Sequence, residues 1–369
     1  MRYYGLDIAR AWLMLMGIAY HAALIYTPHD QPLWRVASTQ THPLFAELAQ
    51  FIHDFRMQAF YIISGFFFSM LIGKAGALPA LGNRWVKLGI PMVFCGLTVN
   101  TLMNLLSTEW QFHLGSHADI ATYLLRGEWL GHLWFLGNLL VYCCVGVLID
   151  PLARQIRRLQ QPQSGTALLL IGATVLIGVL LAHLGHRLTS TVWLFVTPDA
   201  LFMYLPFFVL GMLLWHNKNL FTLLTNWHLT LPLLLAAILL CQMDHRMGLA
   251  TRSYNADQLI QTLYSLALAL FVLSLFCRIQ RPSRLVGRLS VASYTIYLLH
   301  QPLVVLLFGV ARLLALPPLA GFLFICSATG LLTYLVHVLV VERSGLAAFL
   351  LNGKTPDHRH LGSPTAIAT

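Results

Sequence analysis

Charge is what this 369-residue sequence has least of: Asp, Glu, Lys and Arg together make up 10% of it, and only 13 residues are acidic. Soluble domains usually carry about 25% charged residues, so a water-facing surface cannot be built from this composition. Cysteine is sparse as well. The six cysteines (Cys95, Cys143, Cys144, Cys241, Cys277 and Cys326) all fall inside apolar runs, without metal-type spacing or a loop position suited to disulfides, and read as small packing residues. No internal repeat is visible, which gives no support to the duplicated halves of a transporter. A net charge of +10 raises the question of nucleic acid, but the basic residues neither cluster on one amphipathic face nor form a domain of their own. No nucleic-acid partner and no metal site are expected.

What is present is apolar length, 58% hydrophobic residues interrupted by isolated cations. A bilayer core of ~30 Å needs about 20 mostly apolar helical residues. About ten such stretches can be marked, centred near Met16, Ile62, Leu97, Val141, Leu176, Phe207, Leu235, Ala269, Leu299 and Leu331. The first is too interrupted, by Asp7, Arg10 and His21, to be a cleaved signal peptide. The sixth, broken by Pro198 and Pro206, is the least regular. The expected fold is all-α: a polytopic bundle of about ten transmembrane helices, its membrane domain covering residues 1–352, followed by a disordered cytoplasmic tail over 353–369. Cytoplasmic loops hold the excess of lysine and arginine. Fifteen of the 23 fall on the side of the two termini and the loops after even-numbered spans, and six on the other, so both termini are expected in the cytoplasm.

Ionisable side chains inside a membrane cost several kcal/mol and usually face the bundle interior or a water-filled cavity. On the first span, eleven residues separate Arg10 from His21, three turns and about 20°, so both lie on one face ~16 Å apart along the axis, with Asp7 one turn before Arg10. Alone, Arg10 could snorkel to lipid phosphates and His21 could bond a neighbouring carbonyl; their alignment argues for a shared purpose. The second span places His53, Asp54 and Arg56 in its outer half and Ser64-Gly65 deeper. Asp54 could simply pair with Arg56, and Ser64-Gly65 reads as close helix packing before it reads as a nucleophile. His132 opens the fourth span and His300 lies beyond the midplane of the ninth. These polar groups gather at one depth, toward the periplasm. A second set, Arg10, Arg84 and Lys87 with Arg343, sits at the cytoplasmic boundary, where such cations are ordinary positive-inside residues or, alternatively, ligands for phosphates.

The string Leu6-Asp-Ile-Ala-Arg-Ala-Trp-Leu-Met-Leu-Met-Gly-Ile-Ala-Tyr-His21, with Phe51-Ile-His-Asp-Phe-Arg-Met-Gln58, Ile63-Ser-Gly-Phe66, Gly89-Ile-Pro-Met92, His132-Leu-Trp-Phe-Leu136 and Tyr204-Leu-Pro-Phe-Phe-Val-Leu-Gly211, resembles the large membrane acyltransferase family often called acyltransferase 3. The likeness spans most of the chain and is densest in its first third. It is nearest to members associated with succinylation of osmoregulated periplasmic glucans. The resemblance implies a ten-helix bundle in the bacterial inner membrane and acyl-coenzyme A, here succinyl-coenzyme A, as donor substrate, with no permanently bound cofactor. It implies a periplasmic glucan as acceptor and the glucan synthesis machinery as a protein partner. Family roles carry over to Arg10 and His21; at Ser64, His132 and His300 the motifs match. The mechanism this suggests has coenzyme A phosphates on Arg10, Arg84 and Lys87 and His21 as general base. Asp7 stands beside Arg10, and Arg56 steadies an oxyanion or a succinyl carboxylate. A two-step route through an acyl-enzyme on Ser64 or His21 is a second possibility. The rival readings are O-acetylation of lipopolysaccharide or another exported glycan and, outside enzymes, a transporter or flippase.

The charge count has a direct test. Reporter fusions are expected to be cytoplasmic after about Gly76, Gln161 and Lys354 and periplasmic after about Ser38 and Ser116; a periplasmic signal at the C-terminus would overturn this topology.

Overall fold

The computed structural model describes residues 3–28, 34, 36–108, 120–159, 163–188, 195–196, 198–247, 254–281 and 283–354. In chain order the main helices are α1 (Tyr4–Ile25), α2 (Pro43–Ala75), α3 (Ala77–Leu105), α4 (Gly131–Arg158) and α5 (Ser164–Leu188). They continue with α6 (Pro198–His216), α7 (Lys218–Leu224), α8 (Trp227–Met247) and α9 (Tyr254–Cys277). The chain ends in α10 (Arg284–Leu313), α11 (Pro318–Val341) and α12 (Gly345–Asn352). All ten expected centres fall within helices. Among the described residues eight helices are long and apolar enough to cross a membrane, or nine if α7 and α8, bent by 50°, count as one span. The irregular sixth stretch is α6, whose apolar part, Ala200–His216, is shorter. Of the tail expected from residue 353, Gly353 and Lys354 close the turn after α12, and 355–369 lies outside the described residues.

Glycine sets how closely the central helices approach. A Cβ on Gly65 of α2 would lie 1.9 Å from the Phe208 carbonyl oxygen of α6, and one on Gly211 of α6 would lie 1.9 Å from that of Ile62. The two backbones touch reciprocally at these positions, as small residues allow where helix association relies on packing. The packing reading of Ser64-Gly65 therefore holds for Gly65. Around this crossing lies an aromatic core in which Tyr61 packs on Phe135, Tyr142 and Tyr204, all buried. Tyr142 satisfies its buried hydroxyl on the carbonyls of Ala200 and Leu201, at 3.1 and 2.6 Å.

α1 runs through the interior against α2, α9, α10 and α11. Its Asp7 and Arg10 line the same cavity as Asn352 and Lys354, so the start and the end of the described chain lie at one end of the bundle. That end is braced by a polar cluster that nothing in the apolar pattern announces. Asp150 of α4, 2% exposed, accepts from Nε2 of His216 at 2.8 Å and from Nε of Arg154 at 2.7 Å, with Ser69 of α2 at 3.5 Å. Arg157 donates to Nδ1 of His216 at 3.0 Å; because a guanidinium only donates, the His216 proton must sit on Nε2, facing Asp150. Three helices are tied by one buried carboxylate.

Breaking a buried ion pair from one side leaves the partner charge uncompensated, at a cost on the order of 3–5 kcal/mol. Asp150→Ala is therefore expected to lower the detergent melting temperature by several degrees or more, and Ser69→Ala to change it little. An unchanged melting temperature for Asp150→Ala would show that the cluster is not a brace.

Candidate functional site

Two cavities lie along one stripe of α1. Asp7 and Arg10 face the first, His21 faces the second, and Met14 belongs to both. The spacing three, four and seven keeps these positions on one side of a helix. The first cavity, about 350 Å³, opens at the end that carries both ends of the described chain and is lined by Arg10, Arg84, Lys87 and Lys354, with Asp7 as the one carboxylate among the described residues. Asp7 and Arg10 pair at 3.6 Å. A shallower recess of about 530 Å³ adjoins it and adds Lys74. The second cavity, about 390 Å³, is lined by His21, His53, Arg56, His132 and His300, with Tyr20, Trp34, Tyr297 and Gln301, and among the described residues by no carboxylate. Met14, Phe60 and Phe135 contribute to both cavities, which therefore adjoin at these three side chains. Phe60 and Phe135 meet edge to face at 4.6 Å.

The sequence-expected residues thus divide into two groups. Arg10, Asp7, Arg84 and Lys87 come together in the first cavity, and so does Ser64. His21, Arg56, His132 and His300 come together in the second. Ser64 and His21 line different cavities. Arg343 is exposed and lines neither; the fourth cation of the basic cavity is Lys354. Asp54 accepts from Gln50 at 2.6 Å and is absent from both linings.

The histidine cavity is arranged with unequal freedom for its imidazoles. His21, buried in α1, stacks on Trp34 at 5.0 Å, meets Tyr20 edge-on at 5.0 Å and lies 5.2 Å from the ring of His300. His132 is anchored to α10: its backbone N–H and its Nδ1 both reach Oε1 of Gln301, at 3.1 and 2.7 Å. Its Nε2 lies 2.9 Å from the Tyr297 carbonyl, and the Tyr297 hydroxyl donates to the His132 carbonyl at 2.8 Å. Both ring nitrogens of His132 are occupied by protein, which fits it for positioning. His300 differs. Its Nδ1 faces the Tyr297 carbonyl at 2.6 Å, and since a carbonyl only accepts, the proton sits on Nδ1 and the lone pair on Nε2. That Nε2 is buried and has no hydrogen-bond partner among the described residues.

The local sequence explains part of this. Pro302 lies inside α10 and lacks the N–H that would bond the Leu298 carbonyl, which disturbs the helix ladder next to Tyr297, the residue whose carbonyl serves two imidazoles. Gly17, between Met14 and His21 on the α1 stripe, leaves room for polar neighbours. A Cβ there would lie 2.8 Å from an Arg56 guanidinium nitrogen and 3.1 Å from Nε2 of His300. Arg56 also lies over the Tyr20 ring at 5.1 Å, a cation–π contact that partly replaces lost hydration. Gln301, Tyr297 and Trp34 were not singled out from the sequence. Gln301 directly follows His300, but its partner His132 is 169 residues away.

The chain matches the family described as an acyltransferase domain over residues 3–338. Glucans biosynthesis protein C of Salmonella typhimurium (strain LT2) is 30% identical over 97% of this chain and 96% of its own length. The proteins of the same name from Salmonella heidelberg and Salmonella paratyphi B are 30% and 29% identical, each over 96% of both chains. No solved structure matches.

The Gln301 anchor yields an expectation independent of any activity. Gln301→Leu strands the His132 backbone N–H and Nδ1, and an unsatisfied buried group costs about 1–3 kcal/mol, so the melting temperature should fall by several degrees. Gln301→Glu retains an acceptor oxygen in place and should restore most of the loss. Equal destabilisation by both substitutions would argue that shape, not the hydrogen bonds, matters at this position.

Proposed function

The chain belongs to the acyltransferase domain family, and on that premise we propose that it is an inner-membrane O-acyltransferase moving a succinyl group from cytoplasmic acyl-coenzyme A to hydroxyls of a periplasmic glucan. Its family makes it an enzyme that transfers acyl groups other than aminoacyl. The names of its relatives support a glucan as acceptor. The observation that carries the reading is the pair of cavities, one basic and one rich in imidazole, set on a single stripe of α1 and meeting at Met14, Phe60 and Phe135. The excess of lysine and arginine on the side of the chain ends supports a cytoplasmic basic cavity and cytoplasmic termini.

In this reading the phosphates of the donor lie on Arg10, Arg84 and Lys87, cations that recognise anionic oxygens by charge-assisted hydrogen bonds. The pantetheine arm passes the Met14–Phe60–Phe135 junction, where an unbranched methionine is the most adaptable of the three. The thioester carbonyl then stands in the second cavity, about 15 Å from the membrane face. A sugar hydroxyl attacks the carbonyl carbon while His21 takes its proton. As the tetrahedral intermediate collapses, the carbon–sulfur bond breaks and the imidazolium returns the proton to the leaving thiolate. The succinyl assignment is supported by Arg56, which lines a cavity with no carboxylate among its described residues and is placed to pair with that of the acyl group. Ser64, in the basic cavity, lies on the donor's path, which favours direct transfer over an acyl-serine.

Mass spectrometry of periplasmic glucans with and without the gene tests the reaction: loss of succinyl substituents supports it, and unchanged glucans overturn it. Among variants, His21→Ala should lower transfer by on the order of 10²- to 10⁴-fold with coenzyme A binding intact. Arg10→Ala should weaken coenzyme A binding instead, because its guanidinium is three turns from the reacting atoms. A folded His21→Ala protein with near-normal transfer would remove the base from this mechanism.

A further inference from the structure

The basic cavity includes a residue that the apolar pattern assigns to a tail. Lys354 lines it beside Lys87, Arg84 and Arg10, and the charges of Lys354, Arg84 and Arg10 all bear on Lys87. Four cations facing one carboxylate repel one another, and such a gathering is stabilised by a ligand carrying several negative charges.

The placement of Lys354 is built into the chain. α12 ends in a turn in which the N–H of Gly353 bonds the Phe349 carbonyl at 2.9 Å, the closure of a left-handed C-cap, and the N–H of Lys354 bonds the Ala348 carbonyl at 3.1 Å. Gly353 has φ of +57°, and a Cβ there would lie 2.4 Å from the Val86 carbonyl oxygen and 2.5 Å from Cα of Lys87. Only glycine satisfies both the backbone conformation and the approach to α3. Asn352 is fixed from the other side, accepting from the Thr295 hydroxyl of α10 at 3.1 Å. The chain is thus seated between α3 and α10, with the next residue at the cavity rim.

We infer that Lys354, held by the Gly353 turn, is a further phosphate ligand of the donor site, so that the C-terminal helix forms one wall of the pocket for a nucleotide-type polyphosphate. The inference rests on the donor reading above and adds to it a residue and a segment. A lipid headgroup offers similar chemistry, but Lys354 faces a cavity shared with Arg10 and Ser64 of the bundle interior, which favours a soluble ligand entering the protein.

The test is calorimetric titration of the full-length protein in neutral-lipid nanodiscs with coenzyme A and, separately, with phosphate-free pantetheine. Lys354→Gln is expected to weaken coenzyme A binding roughly threefold to tenfold and to leave pantetheine binding unchanged, with Lys354→Arg restoring most of the affinity. Gly353→Val, which unseats the turn, should reproduce the loss, and Lys218→Gln, at an exposed position of α7, should have no effect. Wild-type affinity for coenzyme A in Lys354→Gln overturns the assignment, as does an equal loss for pantetheine, the mark of a structural role. Unchanged coenzyme A binding with reduced retention of phosphatidylglycerol would hand Lys354 to the lipid and also overturn it. Failure of the wild-type protein to bind coenzyme A would overturn the donor reading itself.

Discussion

A guanidinium within a hydrocarbon slab costs several kcal/mol unless something other than lipid surrounds it, and Arg56 is where that constraint bears hardest. Its surroundings are the face of Tyr20, the gap left by Gly17 and a cavity, with no acidic side chain among the described residues of its lining. Much of the neighbourhood follows from housing this cation. Gly17 forgoes about 1 kcal/mol of helix propensity relative to alanine to leave the space. Asp54, two residues away, accepts from Gln50 instead. A carboxylate in the cavity would relieve the penalty, but it would also occupy the guanidinium that an anionic substrate group could use.

The same economy separates the histidines. His300 lies close to two other imidazoles, with centroids of His21–His300 and His132–His300 at 5.2 and 4.8 Å. Were all three held alike, they would be equivalent. Tyr297 breaks the equivalence by offering one carbonyl to Nε2 of His132 and to Nδ1 of His300. One ring is thereby fixed at both nitrogens and the other keeps a lone pair.

How much of this was legible in the sequence depends on the range of each interaction. The ten apolar stretches and the Arg10–His21 stripe are written in local periodicity, and all ten centres are helical. His53 and Arg56 joined His21 as their common depth suggested. Depth alone, however, does not say which cavity a side chain faces, and Ser64 proved to line the basic one. The His132–Gln301 and Asp150–His216 contacts join residues 169 and 66 positions apart, and neither glutamine nor a single aspartate near a helix end stands out in an apolar chain. Lys354 was hidden differently. A polar, small-residue segment after the last apolar run reads as a tail, and only the left-handed turn at Gly353 brings its lysine back to the bundle.

The junction at Met14, Phe60 and Phe135 has a consequence of another kind. On the proposed reading the two cavities draw on compartments held at different electrical potential and different acidity, and each contains groups able to relay protons. A continuous thread of water between them would short-circuit the energised membrane at every opening. On that reading the three apolar side chains shared by the cavities, two of them in edge-to-face contact, would have to serve as an insulating washer that a slender acyl arm displaces and fills without admitting solvent. Their size is then under a demand unrelated to chemistry: a smaller set would make the enzyme a proton leak before it made it a poorer catalyst.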